Sequence, residues 1–330
     1  MLTWPHSNTD WRDTLAAVEN VYFDIASAIL GEQNLLLSCE DSITLERVRA
    51  RLEKIADQSE TTLMTFEVPA DDTWARDHGP IGVLRDSIPA LLDFTFNAWG
   101  DKYASNKDNL INQALAEHGA FSGTALERVD FVLEGGSIES DGQGTLLTTE
   151  HCLLQETRNQ QLTKSEIEAF LKSELGVSRV LWLSAGYLQG DDTDAHIDTL
   201  ARFVDINTIC YVSCDDPRDP HFQPLQQMAL QLADFRTSEG KPYRLVPLPM
   251  PSPAYNNDKE RLPATYANFL ITNHSILLPT YGCLQDEAAV AILGKCFPDR
   301  KVVPINCLPL IEQHGSLHCV TMQLTKGVCE

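Results

Sequence analysis

Asp192, Asp194, His196 and Asp198 take alternate positions in Gly190-Asp191-Asp192-Thr193-Asp194-Ala195-His196-Ile197-Asp198, ahead of a strand-like run at 199–204. In an extended chain, side chains two apart share a face. Three carboxylates and an imidazole would then stand on one side, with Thr193, Ala195 and Ile197 on the other. Four ionisable groups on one face are costly unless water or a cation lies opposite. Three chemistries answer that description: a solvated acidic edge, a calcium loop, or a His–Asp pair that moves protons beside carboxylates gripping a cationic ligand. The calcium loop fails on spacing. With Asp192 as its first position, Ile197 stands where the turn glycine belongs and Phe203 where the bidentate glutamate belongs.

Four other short stretches carry reactive side chains. They are Trp74-Ala75-Arg76-Asp77-His78-Gly79-Pro80, Leu133-Glu134-Gly135-Gly136-Ser137, Tyr266-Ala267-Asn268-Phe269, and Gly315-Ser316-Leu317-His318-Cys319-Val320-Thr321. Singly, each has an ordinary explanation. Asp77 could serve a turn beside Gly79-Pro80, Glu134 could precede a mere change of chain direction, and Cys319 could be a small core residue. If 317–324 is a strand, His318 faces away from Cys319, and distant His196 is the better proton carrier for a thiol nucleophile.

The elements that must position these residues recur at a steady interval. Helical periodicity marks residues 44–56 (Leu45, Val48, Leu52, Ile55), 106–118, 164–175, 222–235 and 286–296. The third is preceded by Thr163 with Glu166 three residues on, a capping box, and closed by Gly176. The helix starts at 44, 106, 164, 222 and 286 lie 58 to 64 residues apart, a repeat of one supersecondary unit. Strands fall between them. Met64, Phe66 and Val68 alternate, as do Leu92, Phe94 and Phe96. Asp141-Gly142 punctuates a hairpin between 131–140 and 145–149, and 180–183 is a short buried run. A second hairpin joins 269–271 to 276–278, and 302–305 and 317–324 supply the last strands. Residues 1–43 add a helix over 14–30 and a strand over 34–39, an N-terminal segment that closes onto the repeats. No Pro-, Gly- or Ser-rich linker divides the chain, so residues 1–330 are read as a single domain of five α/β units. One chemical stretch follows each helix. Arranged around a common axis, the five would meet in a central cleft holding Asp77, Glu134, His196, Asp198, Asn268 and Cys319, the kind of place where ligands bind.

The totals narrow the partner. A formal charge of −22 disfavours nucleic acid and anionic membrane and favours a small cation drawn in by the long-range field. The first twenty residues have neither a charged start nor an apolar run, and no stretch approaches the ~20 apolar residues of a membrane span. Nine cysteines without any CxxC pattern indicate neither a zinc site nor a disulfide framework. A cytoplasmic, reducing setting follows, with no metal or cofactor expected and nothing against a homo-oligomer.

Together these motifs carry a resemblance. W-A-R-D-H-G-P at 74–80, F-N-A-W-G-D-K-Y at 96–103, L-E-G-G-S-I at 133–138, G-D-D-T-D-A-H-I-D at 190–198 and G-S-L-H-C-V-T at 315–321 resemble the agmatine deiminase / bacterial peptidylarginine deiminase-type family, over nearly the whole chain. The resemblance implies the five-bladed pseudo-symmetric α/β propeller (pentein) of guanidino-group-modifying enzymes. It implies Cys319 as nucleophile, His196 as general acid/base, and Asp77 and Asp198 as guanidinium-binding carboxylates. Glu134 would brace the cleft, Trp74 would wall it, and Asn268 would bind substrate. The reaction implied is hydrolytic deimination through a covalent amidino-thioether, with agmatine giving N-carbamoylputrescine and ammonia. Peptidyl-arginine and free arginine are the rival substrates. Departures from the family pattern are Ala195 where many members have glycine, and His314-Gly315-Ser316-Leu317-His318-Cys319 in place of a more glycine-rich run. Two other readings compete: a metal-dependent amidohydrolase built on His196 and Asp198, which lacks any HxH or HExxH pair, and a non-catalytic polyamine-binding protein.

Overall fold

The computed structural model describes residues 1–329. Among them, fifteen strands sort into five three-stranded sheets taken up in chain order, with no strand shared between sheets. Four sheets repeat one plan. The first two strands form an antiparallel hairpin, and the third lies parallel to the second. They comprise Ile81–Arg85, Ile88–Thr95 and Ala125–Val132; Ile138–Ser140, Thr145–Thr149 and Arg179–Leu183; Ala201–Asp205, Thr208–Val212 and Arg244–Leu248; and Leu270–Ile271, Ser275–Thr280 and Lys301–Asn306. A parallel pair needs a long crossover, usually helical. Helices Ile111–Glu117, Lys164–Leu175, Phe222–Asp234 and Gln285–Cys296 supply it in turn.

The remaining sheet is all parallel: Leu2–Thr3, Leu35–Cys39 and Leu63–Glu67, connected by helices Leu15–Leu30 and Ser42–Ser59. Its free edge is met by the far end of the chain. Thr321 bridges Leu2 in antiparallel sense, the Met1 amino group donates to the Met322 carbonyl at 2.7 Å, and the Met322 N–H donates to the Met1 carbonyl at 3.1 Å. Five sheets built on one mixed α/β unit fit the five-bladed arrangement. The largest apolar core runs from Trp4, Trp11 and the helix Leu15–Leu30 through the fifth sheet to Cys319 and Val320. No helix among the described residues is long and apolar enough to cross a membrane.

Local chemistry explains where the helices begin. Thr163 accepts from the Glu166 N–H while the Glu166 carboxylate accepts from Thr163, and Gly176 ends that helix at φ 66°. Asp41 accepts from the Thr44 N–H at 2.8 Å, so the second helix starts at Ser42, ahead of its apolar stripe. The helix expected over 106–118 is shorter, because Asp108 and Asn109 turn their side chains to the Asp71, Asp72 and Phe96 amides and hold a 3-10 turn there.

Three expected strands differ. Residues 131–140 belong to two sheets: Phe131 closes the second and Ile138 opens the third, with the turn Gly135–Ser137 between. Residues 317–320 form a turn and only Thr321 bridges a strand, since the Thr321 N–H folds back to the His318 carbonyl and the His318 N–H is taken by the Asn268 side chain. Residues 190–198 are not extended either. Asp194 and Ala195 adopt φ of 66° and 63°, Ile197–Thr199 is a 3-10 turn, and the strand starts only at Ala201.

Candidate active site

Four chemical stretches sit in the segment leading into a sheet's first strand: Asp77 before Ile81, Glu134 before Ile138, His196 and Asp198 before Ala201, and Asn268 before Leu270; the fifth puts Cys319 two residues before Thr321, which bridges the edge strand Leu2–Thr3. Equivalent positions in repeated units therefore deliver side chains to one place. Gly136 marks it. A Cβ on that residue would lie 2.6 Å from His196 Nδ1, 2.8 Å from Asp77 Oδ1 and 3.3 Å from Asp198 Oδ2, so two other segments close on its bare backbone.

Asp77 is fixed by two donors. Trp99 Nε1 reaches Oδ2 at 3.0 Å and the Gly136 N–H reaches Oδ1 at 2.9 Å; His196 Nδ1 stands 3.7 Å from the same Oδ1. Asp198 is fully buried; its Oδ2 is 2.7 Å from His318 Nδ1, and its Oδ1 has no hydrogen-bond partner. Arg202 approaches His318 Nε2 at 3.2 Å and can only donate, so Nε2 accepts and the His318 proton sits on Nδ1, directed at Asp198. Asn268 links two segments, its Oδ1 accepting from the His318 N–H at 2.9 Å and lying 3.4 Å from Cys319 Sγ. Its amide also donates to the Asp198 carbonyl at 3.5 Å. Glu134 Oε1 is held by Arg158 Nε at 2.9 Å.

Above this cluster opens a pocket that reaches solvent. Cys319, Asp77, Trp74 and Trp99 line it, and Asp10, Asp72, Asp192 and Tyr103 stand around it. Trp74 is set by its indole N–H on Asp72 at 2.8 Å and by Gly315, where a Cβ would fall 2.0 Å from the indole ring. Of the sequence-derived candidates, Trp74, Asp77 and Cys319 line this pocket. His196, Asp198, Glu134 and Asn268 are buried beneath it, His196 and Asp198 meeting Asp77 at Gly136.

Burial governs the electrostatics. It pushes the Asp77 carboxyl well above the usual range, and Asp198 and Glu134 add to the shift by repulsion. Burial raises Asp198 to about 7, against the pull of Arg202 and Arg76. Glu134 is raised too, with Arg158 opposing. His196 is driven well below its ordinary value by burial and then by Arg158 and Lys102, so the ring is neutral. The Cys319 thiol is raised by burial and by the Asp198 and Asp77 carboxylates. Closely set carboxylates around a buried thiol form a place where a bound cation relieves repulsion and favours the thiolate.

The shared acidic face expected over 192–198 does not form. Asp194 turns to Arg158 at 2.5 Å and Lys102 at 3.1 Å, Asp192 accepts from the Tyr103 hydroxyl at 3.0 Å, and Asp198 pairs with His318. The positive φ at Asp194 and Ala195 breaks the alternation that a strand would impose. His318, set aside on the expectation of a strand, is a buried partner of Asp198. Arg158 and Trp99 were also missed. Trp99 lies within F-N-A-W-G-D-K-Y, whereas nothing local marks Arg158, which meets Glu134 within its own unit and Asp194 from the next.

A family model described as Porphyromonas-type peptidyl-arginine deiminase matches residues 1–324. A putative agmatine deiminase of Marinomonas sp. (strain MWYL1) is 33% identical over 345 residues, covering 98% of this chain and 90% of that protein. Among solved structures, a putative arginine deiminase from Porphyromonas gingivalis shares 50% identity at a TM-score of 0.93, covering 100% of this chain and 96% of its own. A substrate-bound cysteine-to-serine variant of the C. jejuni agmatine deiminase shares 37% identity at a TM-score of 0.89, with 97% and 91% covered.

Proposed function

The chain belongs to the Porphyromonas-type peptidyl-arginine deiminase family, and from that premise we propose that it hydrolyses the guanidino group of agmatine to N-carbamoylputrescine and ammonia. The observation that carries this reading is the convergence of Asp77, His196 and Asp198 on Gly136, beneath a pocket that Cys319 and Asp77 line. The capture of substrate by a cysteine-to-serine agmatine deiminase supports a cysteine as the group that turns over.

A guanidinium is planar and resonance-stabilised, so its central carbon resists attack. Asp77 and Asp198 accept its N–H groups and hold that carbon over Cys319; the partnerless Oδ1 of Asp198 is an acceptor free for this task. Trp74 and Trp99 wall the flat cation. The bound charge lowers the thiol's pKa, neutral His196 takes the thiol proton, and Sγ attacks the guanidinium carbon. His196 protonates the departing nitrogen and ammonia leaves an amidino-thioether. His196 then takes a proton from water, which attacks the same carbon and expels the Cys319 thiolate. Asn268 orients the thiol, Glu134 with Arg158 braces the floor, and His318 presents Asp198. All these segments act as one catalytic domain, in the reducing cytoplasm that nine free cysteines suit.

The acidic surround favours agmatine. Asp10, Asp72 and Asp192 suit a distal ammonium and repel the carboxylate of free arginine, and among the described residues no Lys or Arg lines the pocket. The test is ureido-product formation from agmatine, free arginine and an arginine peptide, with Cys319→Ala alongside. Agmatine should lead by at least tenfold in kcat/KM, and Cys319→Ala should retain no measurable turnover. Turnover by Cys319→Ala would remove the covalent mechanism, and preference for the peptide would reassign the substrate.

A further inference from the structure

The buried floor holds more donor atoms than its hydrogen bonds use. His196 turns Nδ1 toward Asp77, while its Nε2 is buried without a partner. Glu134 does the same: Oε1 is held by Arg158, and Oε2 is buried without a partner. Cys152, fully buried in the short helix Glu150–Leu153, completes the group. One donor atom from each of Glu134, Cys152 and His196 lies within 4.8 Å of the other two. Partnerless buried polar atoms in a folded protein call for an explanation, and an ion is one.

The three donors come from separate segments that brace one another. Thr149 accepts from the Cys152 N–H at 3.2 Å and donates its hydroxyl proton to the Ala195 carbonyl at 2.9 Å, one residue before His196. Arg158 joins Glu134 to Asp194 at 2.5 Å and to the Thr193 carbonyl at 3.2 Å. The donor set is one sulfur, one imidazole nitrogen and one carboxylate oxygen, the mixture that zinc-like ions take. Charge balances as well. A dication is matched by the thiolate and the Glu134 carboxylate, while Arg158 is matched by Asp194.

We propose that Glu134, Cys152 and His196 form a site for a thiophilic divalent cation of the zinc class, and that filling it switches the enzyme off by occupying the His196 ring. Binding forms three donor bonds and releases the Cys152 thiol proton to solvent. Nothing is oxidised or reduced. The inhibitory half of the proposal rests on His196 being the proton carrier of the reaction; the binding half does not.

Binding can therefore be read without activity. Cobalt(II) added to Cys319→Ala protein should produce a thiolate-to-cobalt absorption band in the near ultraviolet at one equivalent, and Cys319→Ala/Cys152→Ser should lack it. Cys152→Ala replaces the serine variant should the hydroxyl not be tolerated in the buried site. No band in Cys319→Ala, or a band that survives loss of Cys152, overturns the site. For inhibition, zinc(II) is titrated against the enzyme with native Cys319. The Cys152→Ser protein should keep the parent's basal activity and need at least tenfold more zinc for half-inhibition, and a chelator should restore the parent. Equal zinc sensitivity of the two proteins overturns the proposed inhibition. A cobalt band dependent on Cys152, with parent activity untouched by zinc, sustains the binding site and overturns the role assigned to His196 instead.

Discussion

The pocket is acidic at its mouth and at its floor, and the two ends handle the same residue type in opposite ways. At the mouth, Asp10 is exposed, and half-buried Asp192 accepts from the Tyr103 hydroxyl. At the floor, Asp77, Asp198 and Glu134 are all buried, and each is met by specific donors: Trp99 and Gly136, His318, and Arg158. The difference teaches that solvent, more than residue identity, sets what an aspartate does. A wetted acid adds to a long-range field that draws in cations. A buried one is costly to ionise, so it exerts force only where a positively charged ligand completes its set of partners.

The floor should be the more sensitive end. Asp198→Asn removes an acceptor for which the guanidinium is the missing partner. With a charge-assisted bond at ~1.5–3 kcal/mol, that contact corresponds to roughly 10–100-fold in kcat/KM. Asp77→Asn should lose a comparable amount; steady-state kinetics on agmatine, with a loss under tenfold, would dissolve the contrast. A carboxyl raised to about 7 is protonated at milder acidity than usual, so the parent's kcat/KM should fall as pH drops through about 7.

For stability, the change to test is Arg158→Met, which strands Glu134 in the interior. Breaking a buried ion pair from one side costs about 3–5 kcal/mol. Urea unfolding should show that loss, and a change under ~1 kcal/mol would mean that Glu134 is held in its neutral form. The smallest effect belongs to the mouth. Asp192→Asn should raise KM for agmatine by roughly 5–10-fold with kcat almost unchanged, and less so in high salt, because exposed charges are screened. An equal fall in kcat would place Asp192 with the floor group.

The helices were legible because their apolar stripes have a period and their ends carry caps, as Thr163, Glu166 and Gly176 show. The hairpin at Asp141-Gly142 was legible for the same local reason, although its first strand begins at Ile138 and not at 131. Strand Arg244–Leu248 was missed. It carries Pro247, which is tolerated because this strand lies at the edge of its sheet. Asp77, Glu134, His196, Asp198, Asn268 and Cys319 could be found because each follows a recognisable helix–strand unit. The partners that tune them could not. His318 looked misdirected, and Arg158 had no local mark at all.

The sequence by itself determined five α/β units, where the core of each helix lies, and which chemical residues stand near each sheet. Those features depend on neighbours within a few positions, through periodicity, capping and turn chemistry. Only the tertiary structure decided how the segments at 190–200 and 314–321 bend and which acid meets which donor. The positive φ values at Asp194, Ala195 and His314 occur where neighbouring Asp191 accepts from the Ala195 N–H and where distant residues add bonds: Arg158 to Asp194, Thr149 to Ala195, and the Gly190 carbonyl to the His314 ring. No local pattern encodes a contact whose partner lies 120 residues away, as His318 does from Asp198.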